Sequence, residues 1–320
     1  VGFYDEPVYK LHPKLRINSA MLILRNTDKQ LSYSYLHTLL KGKLISDFMR
    51  KNQVGSAQPH ITKSEFLKLD LNVPCDTEEQ NKVGEFFKNL DQTITLHQRE
   101  LDLLEQTKQT YLKKFFPKTG EDKPEIRFAG FTDAWEQRKL SDVAEIVGGG
   151  TPSTSNPDYW DGAIDWYAPA EIGEQIYVNR SQKTITELGL QKSSAKVLPV
   201  GTVLFTSRAG IGNTAILARE GTTNQGFQSI VAHENELDSY FIFSRTPELK
   251  RYGEVVGAGS TFVEVSGKQM AKMPILIPNI DEQQKIGTFF KQLDQTITLH
   301  QRKLDSLKEM KKTLLQKMFV

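Results

Sequence analysis

The sequence predicts an α+β protein in which mixed strand-and-helix globes alternate with two long helices that pair as a coiled coil. Three observations carry this. A long segment occurs twice, each copy has a sustained apolar seam at helical spacing, and the region between the copies alternates short strand-like runs with turn residues.

The repeat comes first, because internal repetition decides architecture. EQNKVGEFFKNLDQTITLHQRELDLLEQTKQTYLKKFF (Glu79 to Phe116) recurs as EQQKIGTFFKQLDQTITLHQRKLDSLKEMKKTLLQKMF (Glu282 to Phe319), an offset of 203 residues. About 25 of the 38 aligned positions are identical, and DQTITLHQR is unchanged. The likeness extends upstream, pairing GSAQPHITKSEFLKLDLNVP (Gly55 to Pro74) with GSTFVEVSGKQMAKMPILIP (Gly259 to Pro278). INSAMLI (Ile17 to Ile23) matches TNQGFQS (Thr223 to Ser229) more loosely. Each half is thus a variable globe followed by a nearly constant helix.

The helices follow from spacing. Val83, Phe87, Leu90, Ile94, His97, Leu101, Leu104, Lys108, Tyr111 and Phe115 alternate steps of four and three, as do Ile286, Phe290, Leu293, Ile297, His300, Leu304, Leu307, Lys311, Leu314 and Met318. That is a coiled-coil seam. Phe86, Leu96, Leu112 and Phe116 widen the stripe, so each helix has more than one partner surface. At about 1.5 Å per residue such a rod is about 57 Å long, and Pro117 ends the first. The other copy is the obvious partner. Antiparallel packing would make a pseudo-twofold object with separated heads, suited to a two-part DNA site; a tether between unrelated heads fits the repeat equally well.

Composition excludes more than it selects. The 38% hydrophobic and 25% charged content is that of a soluble globular protein. No run reaches the roughly 18–20 apolar residues of a membrane span, and VGFYDEPVYK lacks a signal-peptide pattern. One cysteine, Cys75, rules out an internal disulfide or a multi-cysteine zinc site. A cytoplasmic protein without membrane contact is expected. With 41 basic against 39 acidic residues, a nucleic-acid partner requires the positive charge to be segregated on one surface.

The residues that carry a family resemblance are now in view: the globe-helix-globe-helix order and the helices opening EEQNKVGEFF and DEQQKIGTFF. WEQRKLSDVAEIVGGGTPSTSNPDYWDG (Trp135 to Gly162), GTVLFTSRAGIGNTAIL (Gly201 to Leu217) and NQGFQSIV (Asn224 to Val231) add to it. Over essentially its whole length the chain resembles the specificity subunits of type I restriction-modification systems. The resemblance implies target-recognition domains that each read half of a split double-stranded DNA sequence. It also implies an antiparallel coiled coil of the two conserved helices that fixes the unread gap. Two methyltransferase (modification) subunits would dock on it and restriction subunits would join through these, with no cofactor and no catalytic residue in this chain. The expected divisions are 1–74 (a partial or reduced first recognition domain), 75–116 (first spacer helix), 117–280 (second recognition domain) and 281–320 (second spacer helix). By the offset, about 85 residues equivalent to the Trp135–Thr206 region are missing from the first domain, and whether a second specificity chain completes it stays open. Alternatives are a DNA adenine methyltransferase and a coiled-coil adaptor that binds only proteins.

Candidate DNA contacts come from local chemistry. Thr202–Phe205 and Thr214–Leu217 read as a hairpin whose tip holds Thr206, Ser207, Arg208 and Asn213, side chains suited to phosphate or base edges. A solvated turn is the competing reading; the Gly210-Ile211-Gly212 run lacks the GK[ST] ending of a nucleotide loop. Gln225 and Gln228 alternate with apolar residues and would read adenine if that face meets DNA. Ser260, Thr261 and Lys268 are candidates for phosphate contact. Asn156-Pro157-Asp158-Tyr159 is better read as a turn than as the base-stacking motif of adenine methyltransferases. Trp135, Trp160, Trp166, Tyr159 and Tyr167 are read as core or rim, and Lys183, Lys192 and Lys196 as a solvated face. His97 and His300 occupy matching seam positions and are read as register-setting, with no metal expected because no further ligand stands at zinc spacing.

Overall fold

The structure, a computed structural model, describes residues 10, 21–25, 28, 30–52, 61–173, 175–208, 210–258 and 264–319. Its elements begin with α1 (Tyr33–Leu40), α2 (Lys43–Asn52), α3 (Lys63–Phe66) and the long α4 (Thr77–Lys114). Then come β1 (Glu136–Lys139), α5 (Leu140–Val143), β2 (Ala144–Gly148), β3 (Trp160–Tyr167), β4 (Tyr177–Val178), β5 (Lys183–Ile185) and α6 (Glu187–Gln191). β6 (Val203–Phe205), β7 (Thr214–Leu217), β8 (Thr222–Thr223) and β9 (Gln228–Ala232) follow. α7 (Ser239–Ser244), α8 (Thr246–Gly257), α9 (Gly267–Ala271), β10 (Pro274–Ile277) and the long α10 (Ile280–Met318) complete the chain. Two compact units result, residues 1–104 with 296–320, and residues 105–295. Each unit therefore owns part of both long helices.

In the second unit a five-stranded sheet runs β2-β9-β6-β7-β4, beside a three-stranded sheet β5-β3-β8 and the pair β1-β10. The expected hairpin is present, with Val203 opposite Ile216, Leu204 opposite Ala215 and Phe205 opposite Thr214. Alternate side chains of a strand point to opposite faces, and here both faces are covered. Val203, Phe205, Ile216 and Ile230 pack with Trp135, Phe241 and Phe290, while Leu204, Ala215, Leu217 and Val147 pack with Tyr167, Leu198 and Phe227. Burial on both faces explains why these strands read as continuous apolar runs.

The rods run antiparallel within each unit. In the first, Phe87 meets Phe319 (ring centroids 6.0 Å apart), an Asp91–Lys311 ion pair follows, and His97 faces His300 at 5.9 Å. In the second, Lys108 Nζ lies 2.6 Å from Asp294 Oδ1, and Tyr111 packs on Phe289 at 5.2 Å. Lys108–Asp294 and Lys311–Asp91 are the same pair displaced by one repeat, so the two copies use one interface twice.

Each rod also grips its own head in the same way. Gln80 is 1% exposed; its Oε1 accepts from Ser32 N at 2.8 Å, and its Nε2 donates to Gln30 O (3.1 Å) and Pro74 O (2.8 Å). Gln283, also 1% exposed, accepts from Asp238 N at 3.1 Å and donates to Glu236 O (3.0 Å) and Pro278 O (2.9 Å). Ser32 and Asp238 are in turn the N-caps of α1 and α7, their side chains accepting from Tyr35 N and Phe241 N. The helix beyond each cap crosses the rod at a glycine, Gly84 or Gly287, four residues past the glutamine. These matches align α1 with α7, so among the described residues the first unit repeats only the last part of the second unit's head.

The copies differ at one end of the rod. Glu282 is fully buried and holds Arg127 in a two-pronged contact of 2.8 and 2.6 Å, while its counterpart Glu79 is exposed. The hydrogen bond to Glu282, and then its charge, hold the Arg127 guanidinium above its ordinary pKa despite partial burial. Likewise Phe289 packs among Tyr111, Phe115 and Phe128, whereas Phe86 is 45% exposed. The segment that follows α4, carrying Arg127 and Phe128, makes the difference.

Candidate nucleic-acid interface

The tip of the β6–β7 hairpin is held by its own first residue. Thr206 is fully buried, its N–H bonds Asn213 O at 3.0 Å, and its hydroxyl lies between Gly210 O (2.7 Å) and Asn213 N (2.9 Å). Gly210 and Gly212 take φ of 103° and 90°, the left-handed region that glycine enters freely. Ser207 is fully buried too; its N–H donates to Gly226 O (2.8 Å) and its carbonyl accepts from Val265 N (3.0 Å). The expectation that Thr206 and Ser207 touch DNA is therefore corrected: both side chains face inward because the chain there is stitched to its neighbours.

Arg208 is the first side chain to emerge. Its side chain is 37% exposed and its Nη1 lies 3.9 Å from Glu264 Oε2, with the two residues bridged through the backbone. The Arg208 Nε lies beside Gly226, 3.6 Å from where a Cβ would stand, while the tight neighbours of that Cβ would be Pro169 Cγ (2.8 Å) and Asn224 Oδ1 (3.0 Å). Asn213 is exposed, its amide 3.4 Å from Ile172 O. Gln225 is exposed and accepts a hydrogen bond from the Thr151 hydroxyl. Gln228 is half-buried, with its amide group beside Gly148 and Gly267. Lys268, next to Gly267 on α9, is exposed. Arg208, Gln225, Gln228 and Lys268 thus stand on adjoining segments of one unit, while Ser260 and Thr261 lie outside the described residues.

The glycine run Gly148-Gly149-Gly150 is a signal the local motifs did not single out. A side chain at Gly149 would collide with the backbone carbonyls of Thr223 and Asn224, and one at Gly150 with the backbone of Ser194 and Ala195. The run lets the end of β2 pass under both segments. Thr151 and Gln225 are thereby joined, and the exposed Lys192 and Lys196 are carried to either side of Ser194-Ala195.

The aromatic residues divide. Trp135, Trp166 and Tyr167 are buried, Trp166 donating to Gly150 O at 2.8 Å, so the core reading applies to them. Burial, then the Asp165 carboxylate, pushes the Tyr167 hydroxyl up to about 12. Trp160 is half-buried, edge-on to Trp166 at 5.1 Å with the Lys183 ammonium 5.8 Å from its ring. Asn156 caps a 3-10 turn over Pro157–Tyr159, the turn that motif predicts.

The sequence matches the family described as type I restriction modification DNA specificity domain over residues 15–106 and 132–309. The chain belongs to this specificity family. The MjaIX specificity subunit of Methanocaldococcus jannaschii is 34% identical over 189 residues, which is 58% of this chain and 44% of that protein. The EcoR124I/EcoR124II specificity subunit of Escherichia coli is 29% identical over 167 residues, 50% of this chain and 41% of its own. The chain thus spans less than half the length of these two relatives. The specificity-family fold is shared with the type I S subunit from M. genitalium (TM-score 0.63, 14% identity, 91% of this chain and 73% of that one). It is shared also with the HsdS subunit from Thermoanaerobacter tengcongensis (TM-score 0.54, 19% identity, 92% and 72%). No helix among the described residues is long and apolar enough to cross a membrane.

Proposed function

We propose that this chain reads DNA through the second unit's head and serves as the docking scaffold for methyltransferase subunits, with restriction subunits joining through them. The observation that carries the reading is the clustering of Arg208, Gln225, Gln228 and Lys268, donors suited to base edges and phosphates, on adjoining segments of a chain in the specificity family. Asn213 belongs to the same proposal, as do Ser260 and Thr261 by sequence. The charge balance fits too, since binding needs a local cluster of donors and not a basic chain. Half of a split target is assigned to this head, and the remainder to the first.

Arg208 gives the sharpest test. Its guanidinium can donate two parallel bonds to guanine, and leaving Glu264 for DNA breaks only a loose 3.9 Å ion pair. Arg208→Ala should weaken specific binding by about 1–3 kcal/mol and relax preference at one position of one half-site. A phosphate contact would instead weaken binding on all sequences alike and reduce the log–log salt slope by about one. Salt-titrated binding to single-base variants separates the two. Unchanged affinity, preference and slope would remove Arg208 from the interface.

The chemistry is assigned to the partners. Incubated alone with DNA and methyl donor, the purified chain should neither methylate nor cleave. Adding modification subunits should produce methylation, provided both heads are complete. Methyl transfer by the chain by itself, free of contaminating enzyme, would defeat the assignment.

A further inference from the structure

The repeat carries a histidine at the same seam position in each copy, and antiparallel packing brings these two, His97 and His300, together edge-on within the first unit, ring centroids 5.9 Å apart. A residue meets its own copy only at a pseudo-twofold axis, so this pair marks one. Coordination also needs a third ligand, and the structure supplies it. Glu100, one helical turn after His97, places its Oε2 3.0 Å from His97 Nδ1 and 3.6 Å from His300 Nδ1. The ligand atoms offered by the three residues all lie within 4.8 Å of one another. Sequence spacing predicts no further ligand for these histidines; the rod pairing brings Glu100 to both.

We infer that His97, His300 and Glu100 form a divalent transition-metal site, of the kind zinc occupies, that clamps the two helices to each other. Bonds of about 2.0–2.1 Å set the ligand atoms of a tetrahedral ion about 3.3 Å apart. The distances of 3.0 and 3.6 Å fall on either side of that value. Imidazole nitrogen with one carboxylate is a donor set that suits zinc. His300 Nδ1 is a buried atom with no hydrogen-bond partner. The nearest acceptor, Glu100 Oε2 at 3.6 Å, stands beyond hydrogen-bond distance, and a cation between the two would satisfy both. The fourth position remains for water.

Symmetry sharpens the inference. DQTITLHQR is identical in both copies, and the next residue is Glu100 in one and Lys303 in the other. A carboxylate at 303 would stand towards the histidines as Glu100 does, from the opposite side of the pseudo-axis. Lys303 is exposed, as are Arg99 and Arg302, and Lys308 Nζ is engaged 3.3 Å from Gln98 Oε1.

The test uses the full chain without a histidine tag, in a Cys75→Ser background so that the exposed thiol does not compete. Zinc titrated calorimetrically should bind one ion per chain and raise the melting temperature, and EDTA should reverse the shift. Cobalt in its place should show the visible bands of a tetrahedral site. His300→Gln and Glu100→Gln should each weaken uptake by more than the about 10–100-fold that outer-sphere partners command, with helical circular dichroism unchanged. Lys303→Glu should tighten it at least tenfold. Zinc uptake that is absent in the folded chain, that survives both ligand substitutions, or that Lys303→Glu fails to tighten would overturn the proposal.

Discussion

Glu282→Ala is expected to lower the stability of the second unit by about 3–5 kcal/mol, the loss typical when one member of a buried ion pair is removed. Glu282 is fully enclosed and takes two hydrogen bonds from Arg127, whose third bond, 2.8 Å, goes to Asp133 O. Without the carboxylate the guanidinium, 13% exposed, keeps only its bond to Asp133 O and loses its counter-charge. The same change at Glu79, its counterpart in the repeat but exposed, should leave stability within error. Urea unfolding of the two variants in parallel decides it. Equal effects would mean that the contact with Arg127 contributes nothing net, and that the segment after α4 does not anchor the base of α10.

Gly84→Ala is expected to be more damaging than alanine at Gly42, the other described glycine of the first unit. A Cβ there would stand 2.5 Å from Tyr35 N and 2.6 Å from Ser34 C, and would also strike the Ser34 hydroxyl. These are mostly backbone atoms at the start of α1, so the helix itself must move. Alanine within a helix gains about 1 kcal/mol over glycine, but overpacking costs typically 1–3 kcal/mol and occasionally more. The backbone clash places this site at the upper end, and the net effect should be a loss of about 2 kcal/mol or more. Gly287→Ala meets the Asp238 carboxylate first and backbone only at 3.1 Å (Phe241 N), so it should cost less. Thermal melts of the two variants test the ranking, and a stabilised Gly84→Ala would show that α1 is free to shift.

What could be read from sequence follows a physical division. The rods, their seam and the β6–β7 hairpin announced themselves, because helix spacing, strand length and turn glycines are local properties. The inward turn of Thr206 and Ser207 did not. Ser207 is fixed by Gly226 and Val265, and no local pattern reveals partners so far along the chain. Arg127 reaching Glu282 across 155 residues is the same problem, and it makes two identical glutamates unlike. Glu100 was in plain view three residues after His97, but its relation to His300 depends on rod pairing. Gly149 and Gly150 were conspicuous as a run, yet the backbone they admit comes from residues 194–195 and 223–224.

The glutamine joint between rod and head has one more property. Among the described residues, the side-chain hydrogen bonds of Gln80 and Gln283 go to main-chain atoms: Ser32 N, Gln30 O and Pro74 O in one unit, Asp238 N, Glu236 O and Pro278 O in the other. The glutamine grip is indifferent to the identity of the residues it holds, although head side chains meet the rods beside it, Tyr35 on Phe319 and Tyr240 on Asp294. The caps already differ, serine in one unit and aspartate in the other, and the fit is the same. At this joint the rod makes its demand on where the head's chain enters and leaves, and not on which side chains those residues carry.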